Sequence, residues 1–293
     1  MKRNKRWVLP SFQFILLHFV CWTCKTWSET EWWDLGQPDF VPVSLLTMLA
    51  YLLSEMEVFL LYSWYYPTSF KANWKRYNAN VQYSSKSSFP FFFAALGFSY
   101  YFEWIGHSSH MNLVSEIIFQ FIFESLSYYI FHRILHSHPK IYSNTHHIHH
   151  SRKCVDVYES IRNHTIENIL NSCAFIVPAL VAKSLLNTSI SITGFSTFMY
   201  IRECITHNTH LGNSNPPLTL WSFQPWWAAP QDYAYHHSNP NKQVNMGTMK
   251  LWDILFQTYE PKITEKSTNY VSFPKQIICT FCILSSLFLF HSN

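Results

Sequence analysis

Sixteen histidines punctuate this chain, and most fall into a few tight groups. His132 and His136 stand four apart in HRILH, and His146, His147, His149 and His150 crowd into HHIHH. His207 and His210 sit in THNTH, and His236 and His237 close AYHH. Neutral imidazole is the commonest protein ligand for iron, zinc and copper. On a helix, residues four apart lie one above the other with Cβ atoms about 5–6 Å apart, so His132 and His136 can approach one metal from one face. His146, His149 and His150 follow i, i+3, i+4 and would share a helical face, while His147 points elsewhere. HRILH alone reads as an ordinary polar helix turn. Two such groups in one stretch, followed by a distant HH pair, are a metal signature and suggest more than one ion.

Other metal schemes fit worse. There is no HExxH for a zinc protease, no Glu-x-x-His for a carboxylate-bridged di-iron bundle, and no Cys/His knuckle for structural zinc. Two CxxC pairs, Cys21/Cys24 and Cys279/Cys282, each lie inside an apolar run and read as buried thiols. What remains is an almost all-histidine site.

The elements that must position it are apolar. The histidine groups lie among runs at Trp7–Trp22, Phe40–Tyr66, Phe89–Ile105, Leu113–Phe131, Ile169–Leu186, Ile190–Ile201 and Ile277–Phe290. A membrane-crossing helix needs about 20 apolar residues. Phe40–Tyr66 and Leu113–Phe131 meet that comfortably, and the others are short or broken. The soluble alternative is a large core of buried helices. Trp32, Trp33, Trp64, Tyr65, Tyr66, Trp226 and Trp227 mark run ends as an interfacial aromatic belt does. The basic MKRNKR start reads as the flank of an uncleaved anchor. Lys71, Lys75 and Arg76, then Arg133, Lys140, Arg152 and Lys153, place the N-terminus and the histidine region on the cytosolic side by the positive-inside tendency.

Composition agrees. The 293 residues are 48% hydrophobic, 18% aromatic and 13% charged, about half the charged share of an ordinary soluble domain. The net charge of +4 is scattered and gives no basic stripe for nucleic acid. Six glycines, with no GxGxxG or P-loop, argue against a nucleotide fold. The expected architecture is all-α: polytopic membrane helices with a cytosolic helical cap carrying the histidine groups. Its parts are N-terminal membrane helices over 1–123, a histidine-box region over 124–260 and a C-terminal apolar segment over 261–293.

The ordered motifs resemble the fatty acid hydroxylase and sterol desaturase superfamily, whose pattern is HxxxH, HxxHH and a later HxxHH. Here stand His132-Arg-Ile-Leu-His136 and His146-His-Ile-His149-His150. His164-Thr-Ile-Glu167 is similar to the family's His-Pro-x-Glu, and His210-Leu-Gly212 to its His-Ser-Gly. Asn245-Met-Gly247, Leu251-Trp252-Asp253 and Phe256-Gln-Thr258 resemble its Asn-Tyr-Gly, Trp-Asp and Phe-Gly-Thr. The likeness runs from about Glu124 to Thr258. It implies a membrane-bound enzyme of the endoplasmic reticulum with two non-haem irons. The implied ligands are His132, His136, His146, His149, His150, His210, His236 and His237. It also implies dioxygen as co-substrate and a sterol or long acyl chain from the bilayer, hydroxylated or desaturated. Electrons would come from NAD(P)H through a reductase and a small haem protein, since neither a nicotinamide nor a haem motif occurs in the chain.

The third box departs from the pattern. It reads Tyr233-Ala-Tyr-His236-His237, with Tyr233 in the place of its first histidine and Asp232 just before it. Three readings stand. Asp232 or Tyr233 supplies an oxygen ligand; water fills the gap; or the site has decayed and the protein is a non-catalytic relative that binds metal or lipid as a scaffold. Around the boxes, His207 stands three before His210 and is a candidate to share its metal. Glu167 is a candidate to orient His164 from behind. Glu124 is an acid in an apolar run and so a functional candidate. His18, His107, His110 and His291 read as interfacial.

Overall fold

The computed structural model describes residues 8–29, 40–65, 70–106, 109–151, 157–211, 220, 226–261 and part of 278–286. The basic start, Trp32, Trp33, Tyr66, His107, Arg152, Lys153, Gly212, Cys279, His291 and most of the 261–293 segment lie outside the described residues. The all-α expectation holds. Among the described residues nine α-helices run in order: α1 Val8–Glu29, α2 Phe40–Tyr65, α3 Phe70–Tyr101, α4 Leu113–Ser137, α5 Pro139–Asn144, α6 Thr165–Leu186, α7 Ile192–Thr209, α8 Pro230–Ser238 and α9 Lys250–Leu255. A 3-10 turn spans His146–Ser151. One parallel pair of two-residue strands, Ile105–Gly106 and Ile190–Ser191, ties the end of α3 to the start of α7.

Helix α7 is the hub. It packs on α1, α2 and α4, while α6 packs on α3 and α4. Nearly every α7 side chain from Ile192 to Thr209 is buried. Phe198 meets Phe121 of α4 edge-on at 4.9 Å, and Phe175 of α6 meets Phe92 of α3 at 6.1 Å. The run Ile190–Ile201 therefore belongs to a helix enclosed by its neighbours. The helix α6 extends four residues before its apolar run, to 22 residues, and is long and apolar enough to cross a membrane, as is α4. At 1.5 Å per residue, 22 residues span about 33 Å, the thickness of a bilayer core. Both helices turn aliphatic side chains outward: Ile118, Ile130 and Ile134 on α4, Leu180 and Leu185 on α6. An outward apolar face has a bilayer as its natural solvent.

Two buried acids fix α4 against α7. Glu124 accepts from Arg202 Nε at 3.0 Å, and the guanidinium lies 4.8 Å from the Phe175 ring. This acid of the apolar run is thus half of an interhelical ion pair. Glu116 accepts from the backbone N–H of Ser191 at 2.9 Å and from its hydroxyl. Ser191 in turn caps α7, accepting from Gly194 N. A Cβ at Gly194 would lie 2.0 Å from Glu116 Oε2 and 2.9 Å from its Cδ. Clearing that space displaces Oε2, the oxygen that accepts from the Ser191 hydroxyl. Gly194→Ala is accordingly expected to lower stability by about 1–3 kcal/mol, read as a lower melting temperature of the full chain in detergent. An unchanged melt would mean that Glu116 does not hold the two helices together.

Candidate metal centre

Eight buried imidazoles gather into two groups. His132, His136, His146, His150 and His236 form one, and His149, His210 and His237 form the other; within each, the ligand atoms lie within 4.8 Å of one another. Helix α4 supplies the i, i+4 pair, with ring centroids 5.0 Å apart. Adjacent histidines divide between the groups. His149 and His150 part, and so do His236 and His237, with their ring planes at 80° and 89°. The HHIHH segment is not an α-helix sharing one face but a 3-10 turn. In that tighter winding His146 and His150 turn to the group of five and His149 to the group of three. His147 is exposed.

Backbone carbonyls set which ring nitrogen faces inward. His132 Nδ1–H donates to Met246 O at 2.6 Å, His136 to Pro240 O at 3.1 Å, His236 to Val244 O at 2.9 Å and His210 to Thr206 O at 2.7 Å. A carbonyl only accepts, so each Nδ1 keeps the proton and each Nε2 is a bare lone pair. His146 Nδ1 lies 3.0 Å from Glu167 Oε1 but makes no hydrogen bond there. The inward atoms then face one another: His132 Nε2 to His146 Nε2 at 2.9 Å, His146 to His150 at 3.1 Å, His149 to His210 at 3.4 Å. The Nε2 atoms of His136 and His236, and both nitrogens of His237, have no hydrogen-bond partner. Lone pairs at such distances repel unless a cation lies among them. The donor set thus fits metal ions, with oriented imidazoles of the kind that hold iron or zinc.

The loop after α8 is built to hold those carbonyls. Asp253 accepts from Met246 N and Gly247 N, each at 2.8 Å, and from Thr258 Oγ1 at 2.7 Å. Burial lifts its carboxyl to about 6, and the three donors act against that rise. Asn245 has φ 53° and bridges the Asp232 and Glu260 carbonyls. At Gly247 a Cβ would lie 2.7 Å from Met249 O, so no side chain fits. The Asn245-Met-Gly247, Trp252-Asp253 and Thr258 motifs are therefore one clamp behind His132 and His236. The sequence displayed these residues, but only the fold gives them this role.

The remaining candidates separate. Tyr233 is buried against the group of three, its ring 4.6 Å from His210 and 4.9 Å from His237, with its hydroxyl 3.4 Å from that of Tyr128. Asp232 belongs to neither group; Tyr259 donates to its Oδ2 at 3.4 Å. His164 caps α6, its Nδ1 accepting from Ile166 N, and stands outside both groups. Glu167 lies beside the His146 ring and meets His164 through its backbone, not its imidazole. His207 does not join His210; it lies with Glu55 and Glu203. A cavity of about 120 Å³ meets the group of three at His149 and His210, walled by Phe92, Phe93, Phe175 and Met199.

Residues 117–258 match the family model described as fatty acid hydroxylase, a span that begins a little before Glu124 and ends at Thr258. No curated protein and no solved structure matches the chain.

Two outcomes follow from the geometry. Asp253→Ala should loosen the carbonyl clamp and weaken metal retention about 10–100-fold, measured by competition with a chelator; unchanged retention would detach the clamp from the site. The second concerns pH. Burial, then neighbouring imidazoles, hold His146, His150, His210, His236 and His237 well below the ordinary value, and His149 at about 3 against 6.5. Below pH 6.5 the unfolded chain binds protons that the folded chain refuses. The stability of metal-free protein is therefore full above about pH 6.5 and falls as pH drops toward about 3. Melting temperature against pH checks this, and a flat profile between pH 7 and 4 would refute it.

Proposed function

With residues 117–258 belonging to the fatty acid hydroxylase family, we propose that this protein is a membrane-bound, dioxygen-dependent lipid hydroxylase or desaturase with two non-haem irons. The observation that carries the reading is the pair of buried imidazole groups with their inward Nε2 atoms fixed by backbone carbonyls. His132, His136, His146, His150 and His236 would hold one iron, and His149, His210 and His237 the other. The bound irons would supply an oxidant, made from dioxygen, able to take hydrogen from an unactivated C–H bond. Hydroxylation consumes one dioxygen, two electrons and two protons per alcohol and releases water.

The chain's own part is positioning and exclusion. Burial keeps bulk water from the imidazoles, and backbone carbonyls keep His132, His136, His210 and His236 in their ligating tautomer. The cavity at His149 and His210 carries aromatic and Met side chains that suit a lipid methylene, beside polar groups such as Asn168, Asn171 and Arg202. The outward apolar faces of α4 and α6 support residence in a membrane, which we take to be the endoplasmic reticulum with the histidines toward the cytosol. The two electrons call for partners, a reductase using NAD(P)H and a small haem carrier.

The third box favours one second reading. With Tyr233 facing Tyr128, the smaller group keeps three imidazoles, which suits a scaffold that holds metal without turnover. Lipid analysis of cells with and without the gene separates the two. The enzyme gives a precursor and product differing by one oxygen or two hydrogens, and His149→Ala abolishes the product; full metal content with no lipid difference leaves the scaffold. Within the enzyme reading, three histidines suffice for the second iron. Tyr233→Phe should then keep turnover within about threefold, whereas a loss beyond about tenfold would make the phenol a ligand.

A further inference from the structure

A third group of ligating side chains lies outside both histidine groups. Glu55 of α2 and Glu203 and His207 of α7 bring their ligand atoms within 4.8 Å of one another, all three buried. We propose that these residues form a separate site for one divalent first-row transition metal ion.

The hydrogen-bond directions argue for a cation. Ser160 has one hydroxyl proton and donates it to Val157 O at 2.7 Å. Toward His207 it can only accept, so the 2.9 Å contact is His207 Nδ1–H donating to Ser160 Oγ. With Nδ1 protonated, neutral His207 presents a bare lone pair at Nε2. That atom stands 3.2 Å from Glu55 Oε1. The other Glu55 oxygen accepts from Tyr77 OH at 2.7 Å. A lone pair against a carboxylate oxygen needs a positive charge between them, and either a proton or a metal ion supplies it.

The local charge balance favours the metal ion. Glu124, Glu203, Glu55 and Glu57 are four buried acids in this part of the α2–α4–α7 contact. Arg202 lies 3.0 Å from Glu124 and 3.5 Å from Glu203. Glu57 accepts from Tyr200, Gln13 and Cys204. Arg202 and a protonated His207 would offset two of the four charges. With His207 neutral, Arg202 and a dication held by His207, Glu55 and Glu203 offset three of the four, one more than Arg202 and a protonated His207 can. One imidazole and two carboxylates suit Mn²⁺, Fe²⁺, Co²⁺ or Zn²⁺. The Nδ1–H of His207 resting on Ser160 is the outer hydrogen bond that orients a ligating imidazole. Glu203 also borders the cavity that meets His149 and His210.

The test counts ions on the full-length protein in detergent. Wild type, Glu203→Gln and His207→Gln are stripped by chelator, reloaded with excess Co²⁺, freed of unbound ion and measured by elemental analysis. About three Co²⁺ per chain are expected for wild type and about two for each variant. Ser160→Ala leaves the ligands in place, and its Co²⁺ affinity at the third site should fall about 10–100-fold while the saturated count stays near three. Equal counts in wild type and both ligand variants overturn the site and leave a proton between His207 and Glu55. Variants are compared only where melting and size-exclusion profiles match wild type; should both ligand variants misfold, unchanged affinity in Ser160→Ala overturns the proposal by itself. His149→Ala, which removes a ligand of the smaller histidine group, separates failure here from failure of the two-iron reading.

Discussion

Eight neutral imidazoles packed into one buried volume are the constraint on which the rest of the structure depends. Neutral rings tolerate burial, but only if each proton has an acceptor outside the cluster and each inward lone pair a shared electrophile. The fold meets the first demand with backbone for four of the rings. Pro240, Val244 and Met246 turn three carbonyls onto rings from α4 and α8, and Thr206 serves His210 from one turn earlier on α7. A loop running close behind two helices cannot wander, and so Asp253, Thr258, Asn245 and Gly247 lock it. The second demand is what a metal ion satisfies.

The same constraint accounts for the polar load on α7. A helix sealed by α1, α2 and α4 would ordinarily be apolar throughout, yet its C-terminal half carries Arg202, Glu203, Thr206 and His207, and His210 caps its end. Its N-terminal half, with Phe195, Phe198 and Ile201, makes the core. The helix changes character along its length because one end packs helices and the other end lines a site.

The sequence displayed much of this but not all. HRILH was legible because four-residue spacing means one face on any α-helix. The division of HHIHH between two groups was not, because the segment winds as a 3-10 turn and the i, i+4 argument assumes 3.6 residues per turn. The all-α class followed from the apolar runs. Their partition did not: Ile190–Ile201 reads like any other run, and only packing shows it to be enclosed. His207 was legible as chemistry but not as to its company, since a residue three before His210 shares its helix face closely enough to suggest a common metal. The side chain instead turns toward Ser160 and Glu55. Glu167 was paired with the nearer His164, but that ring caps α6, and the carboxylate faces His146.

Tyr233 shows what the departure in the third box costs geometrically. The box places its first residue one turn before His236 and His237, and that position does face the smaller group, as its contacts with His210 and His237 show. Asp232, one residue earlier on α8, is turned by about 100° to another face and meets Tyr259. A carboxylate there cannot replace the missing imidazole without rewinding the helix. The substitution thus leaves the group of five intact and alters only the group of three, the one that meets the cavity. Any consequence of Tyr233 falls on the group of three that borders the cavity.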